Sequence, residues 1–185
     1  MSCWPPLDDL KVHTVRARGD SFLKYTAVNQ VTIDNALLSK AIDLATANVA
    51  NGQRPFGALL VDGEEIVTQA VNEAARSNDP TDHAEIVAIR HATSLLNADC
   101  LDALTLYASC EPCCMCASAI LWAGVRRVVF ALAREDAHEY GFHDVVGPEI
   151  SRRLLSAISV TQVRSLDRAA REPFEAWKLR NASDS

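Results

Sequence analysis

Long apolar runs are absent from this 185-residue sequence: its most hydrophobic stretches, such as 56–61 and 128–132, are far too short to cross a bilayer. An excess of positive charge is absent as well, because 18 basic residues face 24 acidic ones and the net charge is −6. Proteins that hold nucleic acid through its phosphates carry a basic face. We therefore expect neither a membrane protein nor a general nucleic-acid binder.

The sequence also lacks internal repeats, a flexible linker and the pattern of a secretory signal, in which an apolar stretch follows basic residues. Its six cysteines do not show the spacing of a disulfide framework, because four of them lie between Cys110 and Cys116. Apolar side chains make up 49% of the residues, enough to bury a core in a chain of this length. These features predict a folded protein of the cytoplasm.

Hydrophobic spacing divides the sequence into two parts. Residues 1–31 show no sustained helical period, whereas apolar residues recur at helical spacing after Thr32, which can cap a helix that ends before Gly52. Two apolar runs on either side of Asp62-Gly63 indicate a β-hairpin. The sequence therefore predicts an N-terminal extension over 1–31 and a single domain over 32–185.

Helices and strands alternate after the hairpin. The predicted helices begin near His83, Pro112 and Pro148 and near the C-terminus, and the predicted strands lie at 104–108, 127–131 and 160–163. Trp122, in the middle of an apolar helical segment, is interpreted as a core residue. The order of elements predicts an α/β fold: a three-layer α-β-α sandwich with a mixed five-stranded sheet in the middle.

Two short segments place metal-binding side chains at predicted helix starts. Cys113 and Cys116 are three residues apart, so on a helix they share a face and can bind one ion. The positive end of the helix dipole favours their thiolate forms. His83 can supply a third ligand if it lies at the very start of its own helix. The pattern predicts one zinc ion per chain.

Three protein ligands leave the fourth position of zinc open, which is typical of a catalytic site. Water in that position becomes a nucleophile at neutral pH and can attack a ring carbon that bears an amine. Glu85, two residues after His83, can carry protons between the water, the ring and the departing amine. The alternative is a closed structural site with Cys110 as a further ligand, which would leave Glu85 without a role.

The pattern His83-Ala84-Glu85 followed by Pro112-Cys113 and Cys116 resembles the zinc-dependent cytidine and deoxycytidylate deaminase superfamily. Further segments over residues 33–177 are similar to its bacterial guanine deaminase branch: Pro55-Phe56-Gly57-Ala58, Asn78-Asp79-Pro80-Thr81, Ser109-Cys110-Glu111, and Gly141-Phe142 with Asp144. The resemblance implies a cytidine deaminase-like catalytic domain over 32–185. It also implies hydrolytic deamination of a free nucleobase: guanine, giving xanthine and ammonia, or a close 2-amino purine or triazine analogue.

The same resemblance implies which residues bind the base. Asn72 would hydrogen-bond it, Phe56 and Ala84 would contact it, and Asp144 would accept from its N–H groups. His143 stands where the branch has a first acid, and the tyrosine that ends close relatives is missing here. These two departures leave the identity of the base open.

Two other functions fit part of the pattern. A tRNA-specific adenosine deaminase carries the same zinc motifs, but an enzyme that binds RNA should show a basic groove. A non-catalytic zinc domain is the second alternative, and Glu85 argues against it. The expected partners are a small nucleobase and, from the resemblance alone, a second copy of the chain in a homodimer.

Overall fold

The structure is a computed structural model that describes residues 20–144 and 146–182, with side chains from residue 29 onwards. Its helices and strands, in chain order, are α1 (Asp20–Ala50), β1 (Gly57–Asp62), β2 (Glu65–Val71), α2 (Ala74–Ser77), α3 (Ala84–Leu96), β3 (Thr105–Cys110), α4 (Cys114–Trp122), β4 (Arg127–Leu132), α5 (Arg134–His138), α6 (Pro148–Leu155), β5 (Ser159–Gln162) and α7 (Asp167–Ala182).

The five strands form one mixed sheet in the order β2-β1-β3-β4-β5. β1 pairs with β2 and β3 in antiparallel fashion, whereas β3, β4 and β5 are parallel. Two hydrophobic cores lie on opposite faces of the sheet: α3, α4 and α6 pack on one, and α1 and α7 on the other. The predicted three-layer α-β-α sandwich with a mixed five-stranded sheet is confirmed.

Neighbouring strand residues divide between the two cores, as the pleat of a sheet requires. Leu60 and Val128 face α3 and α4, whereas Leu59 and Val129 face α1 and α7. All four side chains are completely buried. A central strand that is covered on both faces must be apolar along its whole length.

The first helix begins earlier than its predicted cap at Thr32. It runs from Asp20 to Ala50, and its residues 29–32 are exposed to solvent. An exposed helical turn has no buried stripe, so hydrophobic periodicity could not mark it. Residues 1–19 lie outside the described part of the chain, and the division into an extension (1–31) and a domain (32–185) remains a prediction.

Close packing of α1 against β1 positions one side of the candidate site. A Cβ on Gly57 would lie 2.3 Å from the carbonyl oxygen of Ala41, so only glycine allows the helix to come this near. Further along α1, the Asn48 side-chain amide donates to the carbonyls of Arg54 (2.8 Å) and Asn72 (2.9 Å). The helix thus holds the two chain segments that flank the first strand pair.

Two further expectations can be compared with the fold. Trp122 is not a core residue: 76% of it is exposed, because the last turn of α4 presents it to the outer surface. Of the helices in residues 20–144 and 146–182, none combines the length and the apolar character that a bilayer crossing requires.

Candidate active site

The amino ends of α3 and α4 bring the predicted metal ligands together. His83 and Cys113 both occupy the N-cap position, with extended backbone angles (φ −72°, ψ 153° and φ −70°, ψ 173°). Cys116 follows in the first turn of α4. Because His83 precedes the first helical residue, its side chain can turn towards α4 instead of following the helical face of α3.

The three ligand atoms lie at the spacing of a tetrahedral zinc site. The Nδ1 atom of His83 is 3.6 Å from the Sγ of Cys113 and 3.5 Å from that of Cys116, and the two sulfurs are 3.5 Å apart. Zn–S bonds of about 2.3 Å and Zn–N bonds of about 2.0 Å require ligand separations of roughly 3.5 to 3.8 Å. These residues therefore fit one zinc ion and leave a coordination position open.

The electrostatics of the two cysteines suit a metal ligand pair. The hydrogen bond from the Cys116 thiol, opposed by burial and helped by His83, lowers the pKa of Cys113 to about 3. The same hydrogen bond and burial raise the pKa of Cys116. The opposite directions arise because the two sulfurs share one proton, which a bound cation would displace.

Cys110 stands apart from this group. It ends β3, is buried, and does not belong to the cluster of ligand atoms formed by His83, Cys113 and Cys116. Burial raises the pKa of the Cys110 thiol to about 12, which keeps it protonated and a poor ligand. A site with three ligands therefore fits this geometry better than the closed alternative.

Glu85 lies in the first turn of α3 and is only 7% exposed. Burial is the main cause that raises the pKa of its carboxyl group, and the nearby Cys113 thiolate adds to it. A carboxyl group in such a place can accept a proton and pass it to a reacting group.

A small cavity opens beside these residues. It has a volume of about 120 Å³ and is lined by Arg54, Phe56, Asn72, His83, Glu85, Arg134, Phe142 and His143. Larger pockets of about 690 and 470 Å³ lie elsewhere on the molecule and contain none of the metal-binding residues. Because His83 and Glu85 line the small cavity, we take it as the candidate active site.

Aromatic rings form one wall of the cavity. Phe56 makes edge-to-face contacts with Phe142 (centroids 5.0 Å apart) and Phe174 (5.2 Å). The guanidinium of Arg134 lies 5.8 Å from the centre of the Phe56 ring. These contacts fix the Phe56 ring, and Phe56 and Phe142 together give the cavity an apolar wall.

Asn72, directly after β2, also lines the cavity and is buried. Its backbone N–H donates to the carbonyl of Phe56 (3.0 Å), and its side-chain oxygen accepts the N–H of Ala74 (3.3 Å). With the oxygen engaged in this way, the side-chain NH₂ group is the part of the amide that can bind a ligand.

Two predicted base-binding residues do not line the cavity. Ala84 is buried in the core between α3 and the sheet. Asp144 lies behind Arg134, where its Oδ1 atom accepts from Nε (2.9 Å) and Nη2 (2.7 Å). The Oδ2 atom of Asp144 is buried without a hydrogen-bond partner. The binding roles of both residues remain predictions.

Arg54 and Arg134 also line the cavity, and neither was predicted from the sequence. Arg134 begins α5, just past the carboxyl end of β4, where functional side chains of parallel sheets gather. Its backbone N–H donates to the buried Glu111 carboxylate (2.9 Å). The position of Arg134 after a buried parallel strand could have indicated a functional residue. No pattern in the sequence indicates a functional role for Arg54.

Comparison with known proteins agrees with this geometry. Residues 31–132 match the family described as the cytidine and deoxycytidylate deaminase zinc-binding region. The chain is 41% identical to the guanine deaminase of Bacillus subtilis over 147 residues, which cover 76% of this chain and 91% of that protein. It is 41% identical to a tRNA-specific adenosine deaminase of Haemophilus influenzae over 99 residues, which cover 52% and 57% of the two chains.

The fold shows the same relationship. The solved structure of guanine deaminase from Nitrosomonas europaea superposes with a TM-score of 0.72 at 26% identity, covering 90% of this chain and 97% of that one. The three ligand atoms at two helix starts, the mixed sheet and the sequence match all agree. The chain belongs to the zinc-dependent cytidine and deoxycytidylate deaminase family.

Proposed function

We propose that this protein is a zinc-dependent hydrolase that removes the exocyclic amine from a free nucleobase, either guanine or a close 2-amino purine or triazine analogue. One observation carries the proposal: the buried Glu85 and the metal ligand His83, which is grouped with Cys113 and Cys116, line the same small cavity with an aromatic wall. A structural zinc site would need neither the carboxyl group nor the cavity.

The cavity residues bind and orient the base. Phe56 offers a flat apolar surface, and the NH₂ group of Asn72 can donate to a ring nitrogen or a carbonyl oxygen. At about 120 Å³ the cavity is well below the roughly 300–1,000 Å³ of pockets for drug-sized ligands. This volume favours a free base over a nucleotide or an RNA loop.

Glu85 moves the protons of the reaction. Zinc, held by His83, Cys113 and Cys116, would lower the pKa of a water in its open position to about 7. Glu85 takes a proton from the attacking water and delivers it to the ring nitrogen beside the attacked carbon. It then takes the second proton, from the hydroxyl now bonded to that carbon, and gives it to the amine, which leaves as ammonia while the carbon becomes a carbonyl. The overall change is amino-heterocycle plus water to oxo-heterocycle plus ammonia.

Ammonia release from a panel of substrates tests the proposal. The zinc-loaded protein is incubated with guanine, guanosine, cytosine, ammeline and a tRNA that carries adenosine at the wobble position, and chelator-treated protein is the control. We expect ammonia from guanine or the triazine and none from the tRNA. Release from the tRNA alone would replace this proposal with adenosine deamination, which the similarity to tRNA-specific enzymes makes the second candidate.

We also propose that the protein is a homodimer. An apolar pocket on the outer surface of α3 and α4, lined by Ile86, Ile89 and Ala119 among others, offers a surface that a second copy could cover. Light scattering after size-exclusion chromatography distinguishes the 20.1 kDa monomer from a particle of twice that mass. A monomer at micromolar concentration would contradict this part of the proposal.

The proposed location is the cytoplasm. Cys110, Cys113, Cys114 and Cys116 are free thiols. Since a reducing compartment keeps thiols reduced, we expect the partly exposed Cys114 to react with a thiol label in intact cells. An oxidised Cys114 in cells would argue for another location.

A further inference from the structure

The cavity is rich in hydrogen-bond donors. Arg54 and Arg134 are guanidinium donors, and the NH₂ group of Asn72 is a third donor. His143 supplies a ring N–H. Among the lining residues the only carboxyl group is that of Glu85, which the reaction itself employs. Donors therefore outnumber acceptors around the cavity, and acceptors on the edge remote from the reacting amine should strengthen the binding of a base.

Asp144 does not restore an acceptor to this wall. Its Oδ1 atom takes two hydrogen bonds from Arg134, and its side chain is 5% exposed. The ion pair neutralises Arg134, and Asp144 is not among the residues that line the cavity. His143, the residue before Asp144, does line the cavity and brings no carboxylate to it.

Unlike Arg134, the cavity residue Arg54 has no carboxylate partner in the described part of the chain. Its carbonyl is held in place by Asn48 (2.8 Å) and by the N–H of Phe56 (2.9 Å), so its backbone position is defined. Its guanidinium forms no hydrogen bond or ion pair with any residue in the described part of the chain. A guanidinium at a cavity rim binds most strongly to an oxo group or an oxyanion, through charge-assisted hydrogen bonds.

We propose that Arg54 is a specificity-determining residue that binds an oxo group or an oxyanion of the base at a ring position remote from the reacting amine. This inference rests on the proposed deaminase function and narrows its substrate class. Replacing a remote amine by an oxo group turns a donor on the base into an acceptor. Each such replacement should therefore improve binding to Arg54 and to the NH₂ group of Asn72.

Two matched sets of compounds isolate this effect. Melamine, ammeline and ammelide share one triazine ring and carry three, two and one amines, with oxo groups in the other places. 2,6-Diaminopurine and guanine differ only in the amine or oxo group at one carbon. The kcat/KM for ammonia release is measured per amino group with the zinc-loaded wild type, with Arg54→Leu, and with Arg153→Leu as control. Arg153 is exposed and does not line the cavity.

We expect kcat/KM to rise about 10-fold or more from melamine to ammelide and from 2,6-diaminopurine to guanine, since one charge-assisted hydrogen bond is worth about that factor. In Arg54→Leu both rises should shrink about 10-fold through higher KM for the oxo compounds, while Arg153→Leu keeps the wild-type pattern. Equal rates along both sets in the wild type would overturn the inference. A loss in Arg54→Leu that is the same for every compound, or a preference for guanosine monophosphate over guanine, would also overturn it.

A binding experiment separates this inference from the proposed function. If the zinc-loaded protein releases no ammonia from any base, the deaminase proposal fails. Calorimetric titration with cyanuric acid, the all-oxo triazine, and with melamine then tests the cavity alone. Tighter binding of cyanuric acid that Arg54→Leu abolishes would support the donor-rich cavity, and equal or absent binding of both compounds would overturn it.

Discussion

Arg134 and Asp144 form a buried ion pair directly behind the candidate active site: Nη2 lies 2.7 Å from Oδ1, and the two side chains are 9% and 5% exposed. The Arg134 guanidinium also lies against the face of Phe56. This pair links the loop after α5 to the aromatic wall that a base would contact. Its integrity therefore matters for stability and for the shape of the cavity.

Removing one partner of this pair should be costly. In Asp144→Ala the Arg134 charge stays buried without compensation, so we expect the free energy of unfolding to fall by about 3–5 kcal/mol. The double variant Arg134→Met/Asp144→Leu should recover most of this loss, because it buries no charge. Urea denaturation measures both, with the exposed Asp102→Ala as control. A double variant no more stable than Asp144→Ala would contradict this account.

Glu85 should be needed for turnover but not for metal binding. Glu85→Gln keeps the shape of the side chain and removes its ability to move a proton. We expect kcat to fall by about 10²–10⁴-fold while zinc content, measured by mass spectrometry, stays at one ion per chain. Glu64→Gln, at an exposed turn residue, is the control. Full activity in Glu85→Gln would show that another group carries the protons.

The four neighbouring cysteines should differ in their importance for zinc. Cys113→Ser and Cys116→Ser each remove a ligand atom, so we expect purified protein with much less than one zinc per chain. Cys114→Ser changes a partly exposed thiol outside the ligand group and should retain the metal. Loss of zinc in Cys110→Ala would instead support the closed structural site.

Asp34, at the other end of the sheet, should make the free energy of unfolding depend on pH. Burial alone would raise its pKa, but hydrogen bonds from Arg127 (2.5 Å), Gln30 and Tyr107 (2.8 Å) outweigh burial, so the pKa is lowered from 3.8. A lowered pKa in the folded state stabilises the protein at pH values above the pKa of Asp34 in the unfolded chain. This stabilisation is lost as the pH falls through the pKa of Asp34 in the folded state.

Asp34→Asn tests this effect. We expect a loss of about 1–3 kcal/mol in the free energy of unfolding at pH 7, measured in urea. The difference between variant and wild type should shrink below about pH 4, where the unfolded carboxyl is protonated. A difference that stays constant from pH 7 to pH 3 would show that the charge of Asp34 does not matter.

Local patterns in the sequence predicted much of the fold and the metal site. The Asp62-Gly63 turn is encoded by adjacent residues, and the hairpin β1–β2 forms around it. The ligand group could be predicted because the sequence indicates where the two helices begin. His83 and Cys113 lie at these helix starts, and Cys116 follows in the first turn of α4. Trp122 was misjudged, because apolar neighbours on a short helix do not show which face meets solvent.

By itself, the sequence determined the alternation of elements, the family and the chemistry of the ligands, because these depend on residue types at short spacing. Only the tertiary structure decided how the cavity is lined. Arg54, Asn72, Arg134 and His143 come from four separate segments and meet because α1 and the sheet hold those segments together. The tertiary structure also pairs Asp144 with Arg134. A buried guanidinium requires a carboxylate partner, and the fold brings the two side chains together.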